Sequence, residues 1–190
     1  VVDVAPFEAM KLRLLNGSHS MLAYLGFLAG RATIWQVAGE PHFVALMRGL
    51  MEEATPTLAL PADVDLAAYK AALVERFGNP ALPHRTRQIA MDGSQKLPQR
   101  LLGTVRDNLA AGRPIDAAAL AVAGWMRYVS GVDEAGRATA VSDPLAADFA
   151  RIAAERRGDP AALARGLLGL TAVFGTDLPV TLQRHPGAPQ

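Results

Sequence analysis

Apolar positions recur at helical spacing through most of the chain. At about 100° per residue, with Lys11 set at zero, Leu15 and Leu22 fall near 40° and 20°, and Leu14 and Leu25 near 300° and 320°. This pattern predicts a first helix over residues 7–30, opened by Pro6 and bent or broken near Gly17. Phe43, Leu46, Met47 and Leu50 share one face of a helix from Pro41 to about Ala54, which Thr55-Pro56-Thr57 stops. Asp65 caps a helix from Leu66 to Phe77, and Gly78 ends it. Pro98 opens a helix to about Ala110 with Leu101, Leu102, Val105 and Leu109 as its stripe, broken by Gly112-Arg113-Pro114. Residues 115–129 are small or apolar on nearly all sides, which predicts the most buried helix, with Trp125 and Tyr128 in the core. Asp143-Pro144 and Asp159-Pro160 open two more helices, over 144–157 and 160–174, separated by Gly158 and closed by Gly175.

The pattern is weaker elsewhere. Residues 33–38 read equally as a short helix or an extended connector, and 84–89 are helical for one or two turns at most. Asn79-Pro80, Asp92-Gly93-Ser94 and residues 132–137 carry turn chemistry. The sum is an all-α domain over residues 1–178 with roughly seven or eight helices. The polar, proline-bearing tail over 179–190 is expected to be poorly ordered.

Composition narrows the possible roles. About half of the 190 residues are apolar and the formal net charge is +1, a globular balance with no electrostatic footprint for nucleic acid. The absence of cysteine removes disulfides and thiolate metal sites and is compatible with a reducing cytoplasm. No apolar run reaches the ~18 residues of a membrane span, and the start lacks the basic region of a signal peptide. No carboxylate pair or histidine cluster has metal-ligand spacing, so no metal is expected. Gly166-Leu167-Leu168-Gly169 lacks the spacing and the preceding strand of a dinucleotide fingerprint.

The candidate chemistry lies in the first helix. Lys11 falls within the apolar stripe, where a lysine is out of place. His19 and Asn16 lie at about 80° and 140°, on one flank. Burial would favour the neutral amine, able to accept a proton, and Asn16 could donate to an oxygen that gains negative charge. The alternative is a lysine that carries its head out to water along an apolar stem. A helical interaction module without catalytic function fits the same composition.

The run Lys11-Leu-Arg-Leu-Leu-Asn16-Gly-Ser-His19-Ser20 resembles the signature helix of the polyol-specific long-chain dehydrogenases, a family that includes mannitol 2-dehydrogenase and fructuronate reductase. Residues 79–100, with Asn79-Pro80, His84-Arg85-Thr86-Arg87-Gln88 and Asp92-Gly93-Ser94-Gln95-Lys96-Leu97-Pro98-Gln99-Arg100, are similar to the fructuronate reductase branch, as is Gly124-Trp125-Met126-Arg127-Tyr128. The resemblance spans about Phe7 to Leu178. It implies a substrate domain like the C-terminal domain of 6-phosphogluconate dehydrogenase-like enzymes, preceded in the whole protein by a Rossmann domain that binds NAD. It also implies a metal-independent reaction on a sugar acid or polyol. D-mannonate and D-fructuronate are the favoured pair, with mannitol or another polyol as the alternative. Lys11 would be the general acid–base and Asn16 its oxyanion partner. His19, Lys96 and Arg85 would bind substrate, and Glu8 would gate proton exchange. Gln88 stands where mannitol-type members often carry an arginine, and Arg85 or Arg87 are the candidates to replace its charge.

Overall fold

The computed structural model describes residues 4–178. The expectation for the 179–190 tail lies outside them. Ten helices make up the domain, and no strand occurs among the described residues; only two isolated bridges, Thr33 with Arg85 and Val132 with Ala138, pair extended backbone.

The first helix, α1, is one rod over residues 5–28. It comprises Ala5–Met10, a π-helical stretch Lys11–Asn16, and Gly17–Leu28. The expected break at Gly17 is absent. A wider turn precedes it instead, and Gly17 itself is helical. The glycine is needed for contact rather than bending, because a Cβ there would stand 2.8 Å from the Arg100 carbonyl oxygen. Short α2 (Ile34–Ala38) resolves the ambiguity of 33–38, with Gln36 Oε1 accepting from Thr33 N at 3.1 Å at its start. Helix α3 (Pro41–Ala54) and helix α4 (Leu66–Phe77) match their expected bounds, and Asp65 Oδ1 accepts from Ala68 N at 2.9 Å.

Helix α5 (Thr86–Ala90) is the short turn expected there. Next comes a correction. Asp92-Gly93-Ser94 is a helix start rather than a loop, and Pro98 continues that helix rather than opening one. The result is α6, a rod over residues 93–110 built of Gly93–Leu97, π-helical Pro98–Leu102 and Gly103–Ala110. Pro98 lies in the second turn, past the first-turn positions where its missing N–H costs nothing, and the helix widens into the π-stretch at that residue. Helix α7 (Asp116–Val129), α8 (Ala146–Glu155), α9 (Pro160–Leu168) and α10 (Thr171–Phe174) complete the chain; Gly169 and Leu170 divide what the pattern joined as 160–174.

α1 runs through the middle, so Leu14, Met21, Leu22, Ala23 and Tyr24 are buried. α7 packs closely along it: a Cβ on Gly124 would lie 2.8 Å from Leu25 Cδ2. Trp125 and Tyr128 are core residues, as their helix face predicts. Trp125 meets Phe149 of α8 edge-on at 5.5 Å and Phe174 of α10 at 5.9 Å. α6 is tied to α1 by an ion pair from Arg13 to Asp107, with Arg13 also donating to the Thr57 carbonyl.

Candidate active site

The π-stretch places the candidate residues. Its defining bond spans five residues, and the Gly17 N–H reaches back to the Leu12 carbonyl. On an α-helix Lys11 and Asn16 would point about 140° apart. A π-turn holds residues five apart nearly one above the other, so it brings Asn16 round towards the Lys11 side. The spacing of the signature run therefore suits this wider turn.

The same turn corrects the reading of Lys11. Its side chain is exposed, while Leu14 and Leu22 are buried and Leu15 and Leu25 half-buried. The stripe is real, but the uniform α twist placed Lys11 on it wrongly. These residues do not supply the burial that the sequence argument counted on. Lys11 instead sits beside an uncovered apolar strip: Val4 is 68% and Phe7 37% exposed, two turns and one turn earlier on the same face. Glu8 is exposed as well, and no ion pair joins it to Lys11 among the described residues.

Asn16 and His19 line a small cavity of about 130 Å³ together with Leu15, Ile34, Arg76, Phe77, Leu82 and His84. Local backbone bonds set this wall. Ile34 N donates to the His84 carbonyl and Thr86 N to the Ala32 carbonyl, so residues 32–34 and 84–86 run side by side and hold His84 over α1. The His19 ring lies 5.3 Å from both the Phe77 and the His84 rings. Its Nε2 is buried without a hydrogen-bond partner among the described residues. Burial, then the charges of His84, Arg100, Arg76 and Lys96, push His19 down to about 4, so it is a neutral imidazole near pH 7.

Lys96 comes from α6. Its Nζ donates to the carbonyls of Met91 and Ile89, and burial followed by the Arg100 charge lowers its pKa. It is thus not a free solvated lysine: it closes the turn before α6 and does not line the cavity that holds Asn16 and His19. That turn is set from both sides. Asp92 adopts the left-handed conformation at φ 55°. A Cβ on Gly93 would fall 2.3 Å from Trp125 Nε1 and 2.9 Å from Tyr24 Oη. Asp143 accepts from Ser94 N at 2.9 Å, from Ser94 Oγ at 2.6 Å and from Leu145 N at 2.9 Å.

Arg85 is not brought to this cluster. It is exposed at the start of α5, where its backbone bridges Thr33, and Arg87 and Gln88 are exposed too. The cations that act on His19 are Arg76, Lys96 and Arg100. Arg100 was missed by the sequence reading. The available signal was its place one turn after Lys96 on a helix, a like-charge pair that is unfavourable without a purpose. A larger open groove of about 970 Å³, bounded by Val129, Val132, Ala150 and Leu163, contains none of these residues. Among the described residues, no group of three or more His, Cys, Asp or Glu could hold a metal ion, and no helix is long and apolar enough to cross a membrane.

The domain is all-helical, with a lysine and an asparagine on a π-turn and a small cavity at Asn16 and His19, where the charges of Arg76, Lys96 and Arg100 act on the imidazole. Residues 3–182 match the family model described as the mannitol dehydrogenase C-terminal domain, and the chain belongs to that family. It is 54% identical over 180 residues to the D-mannonate oxidoreductase of Escherichia coli (strain K12), covering 94% of this chain and 37% of that protein. A mannitol dehydrogenase of Saccharomyces cerevisiae is 38% identical, over 94% of this chain and 35% of its own length. The Pseudomonas fluorescens mannitol 2-dehydrogenase, solved as a ternary complex with NAD and D-mannitol, superposes with a TM-score of 0.87 at 40% identity, over 95% of this chain and 36% of that one. The chain thus spans a little over a third of the relatives it matches. This kinship removes the reason to prefer a non-catalytic interaction module.

Proposed function

We propose that this chain is the substrate domain of an NAD-dependent dehydrogenase that interconverts D-mannonate and D-fructuronate. The observation that carries the choice of a sugar acid is the basic cluster of Arg76, Lys96 and Arg100 around His19, in which none of these residues is ion-paired with a carboxylate among the described residues. A neutral polyol gives such a surplus of positive charge nothing to neutralise, whereas a sugar acid does. The 54% identity to a D-mannonate oxidoreductase supports the same reading.

The described residues offer no glycine-rich strand-to-helix turn for a dinucleotide. In this proposal a Rossmann domain of the whole enzyme holds NAD and covers the face bearing Val4, Phe7 and Lys11. Exposed apolar side chains beside a proton-transfer group are what such a covering domain would bury. Bound NAD supplies the hydride acceptor or donor. Lys11 Nζ takes the hydroxyl proton during oxidation and returns it to the carbonyl oxygen during reduction. The Asn16 amide donates to that oxygen as its charge grows. His19, held neutral, hydrogen-bonds a substrate hydroxyl without adding charge. Glu8, exposed and one turn from Lys11, would pass protons to solvent. Lys96 keeps its place in the turn and offers its remaining N–H to substrate.

The test is steady-state reduction by NADH with the full-length enzyme that carries this domain. D-fructuronate should exceed D-fructose in kcat/KM by at least about tenfold, the least that one charged contact is worth. Equal or reversed preference would replace this reading with a polyol dehydrogenase.

A further inference from the structure

A half-buried guanidinium without a carboxylate partner is costly unless something else repays its lost hydration. Arg100 is in that position. It projects from the π-stretch of α6, and Nη1 donates to Ser20 Oγ at 3.1 Å, the one hydrogen bond of its five donors seen among the described residues. Burial lowers its pKa, and no ion pair offsets this. Of the two carboxylates that act on neighbouring Lys96, Asp143 spends its oxygens on Ser94 and Leu145 N, and neither it nor Asp92 is ion-paired with Arg100 among the described residues.

Position gives the unpaired charge a use. Ser20 lies one turn past Asn16 on α1, about 6 Å further along the axis. The Arg100 guanidinium is thus held one helical turn beyond Asn16, one of the groups that would handle the reacting oxygen, and its charge acts on His19. Lys96 precedes Arg100 by one turn of α6. We infer that Arg100, held by Ser20 and flanked by Lys96, receives the carboxylate at the far end of a hexose-length substrate and so determines selectivity for sugar acids over neutral sugars. A planar guanidinium suits this task, since it can meet both oxygens of a carboxylate at once. The inference rests on the function proposed above and adds the residue that sets its selectivity.

The experiment uses the full-length enzyme with D-fructuronate and D-fructose as paired probes. Arg100→Leu should lower kcat/KM for fructuronate about 30–100-fold, mainly through KM, the worth of one charged hydrogen-bonded contact. The loss with fructose should stay under about threefold. Arg100→Lys should recover part of the fructuronate activity, and Ser20→Ala should give a smaller loss of the same selectivity. An equal fall with both substrates would make Arg100 a structural residue and overturn the inference, as would unchanged fructuronate kinetics. If the wild-type enzyme does not prefer fructuronate, the proposed function fails first and the inference falls with it.

Discussion

Gly17 and Arg100 meet where both long helices change pitch. A Cβ on Gly17 would stand 2.8 Å from the Arg100 carbonyl oxygen, so α1 and α6 touch backbone to backbone at their π-stretches. Neither partner can yield as a flexible side-chain tip would. Alanine at position 17 would gain about 1 kcal/mol of helix propensity. The forced separation should outweigh this and leave Gly17→Ala less stable by about 1–3 kcal/mol. Urea unfolding of the chain measures it. A variant as stable as the parent would mean that the contact relaxes without cost.

The turn before α6 should depend on Asp143. Its carboxylate accepts from the amide and the hydroxyl of buried Ser94, as well as from Leu145 N. Asp143→Ala strands a buried N–H and should cost about 2–3 kcal/mol. Asp143→Asn keeps acceptor capacity on one oxygen and should cost less. Urea midpoints of both variants check the ranking, and an alanine variant no weaker than the asparagine one would contradict it.

Much of the fold was legible in the sequence because its helices have strong stripes and strong punctuation. Asp65, Pro41 and Gly78 each supply or end a helix for a local reason, and their helices match; Asp159-Pro160 opens a helix where expected, but it ends at Leu168. The misses share one cause: local rules describe a uniform α-helix. Nothing near Lys11 announces that the backbone widens there, and the residue that meets its end at Gly17, Arg100, comes from more than eighty residues away in sequence. The same holds for Pro98, which reads as a start but lies within a rod. Asn16 and His19, which the helical pattern sets on one flank of the stripe, both line the small cavity. Arg85 and Arg87, the cations that the sequence offers beside Gln88, are exposed, and Arg100 goes unmarked because local spacing says little about which side chain faces inward.

His19 should make stability depend on pH. Its pKa is about 4 when folded and near 6.5 when unfolded, mainly through burial and then His84, Arg100, Arg76 and Lys96. Between these values the unfolded chain binds the proton and the folded chain does not. The stabilising contribution is therefore full above about pH 6.5 and is lost as pH falls towards 4, amounting to about 2 kcal/mol by pH 5. Half-buried Glu53, whose carboxyl is raised by burial, acts in the opposite direction. The check is thus the difference between wild type and His19→Phe in urea unfolding at pH 7.5 and pH 5. A constant difference across that range would show that His19 titrates alike in both states.

Lys11 gives the most direct test of the mechanism, because its exposure in this domain excludes a core-packing role. In the full-length enzyme, Lys11→Ala should lower turnover in both directions by roughly 10²–10⁴-fold, the usual worth of positioned acid–base catalysis. Cofactor affinity, measured by fluorescence titration with NADH, should stay close to wild type, since the described residues offer no dinucleotide cradle. Small primary amines should restore part of the rate by occupying the space that the side chain leaves. A surface lysine with no chemical role predicts otherwise: its removal would change stability within about 0.5 kcal/mol and leave turnover and amine response alike unaltered. Wild-type turnover in Lys11→Ala would defeat the assignment of the π-turn as a catalytic element. Loss of turnover without amine rescue, accompanied by weakened NADH binding, would instead make Lys11 part of the contact between domains, which the uncovered Val4 and Phe7 beside it would then explain.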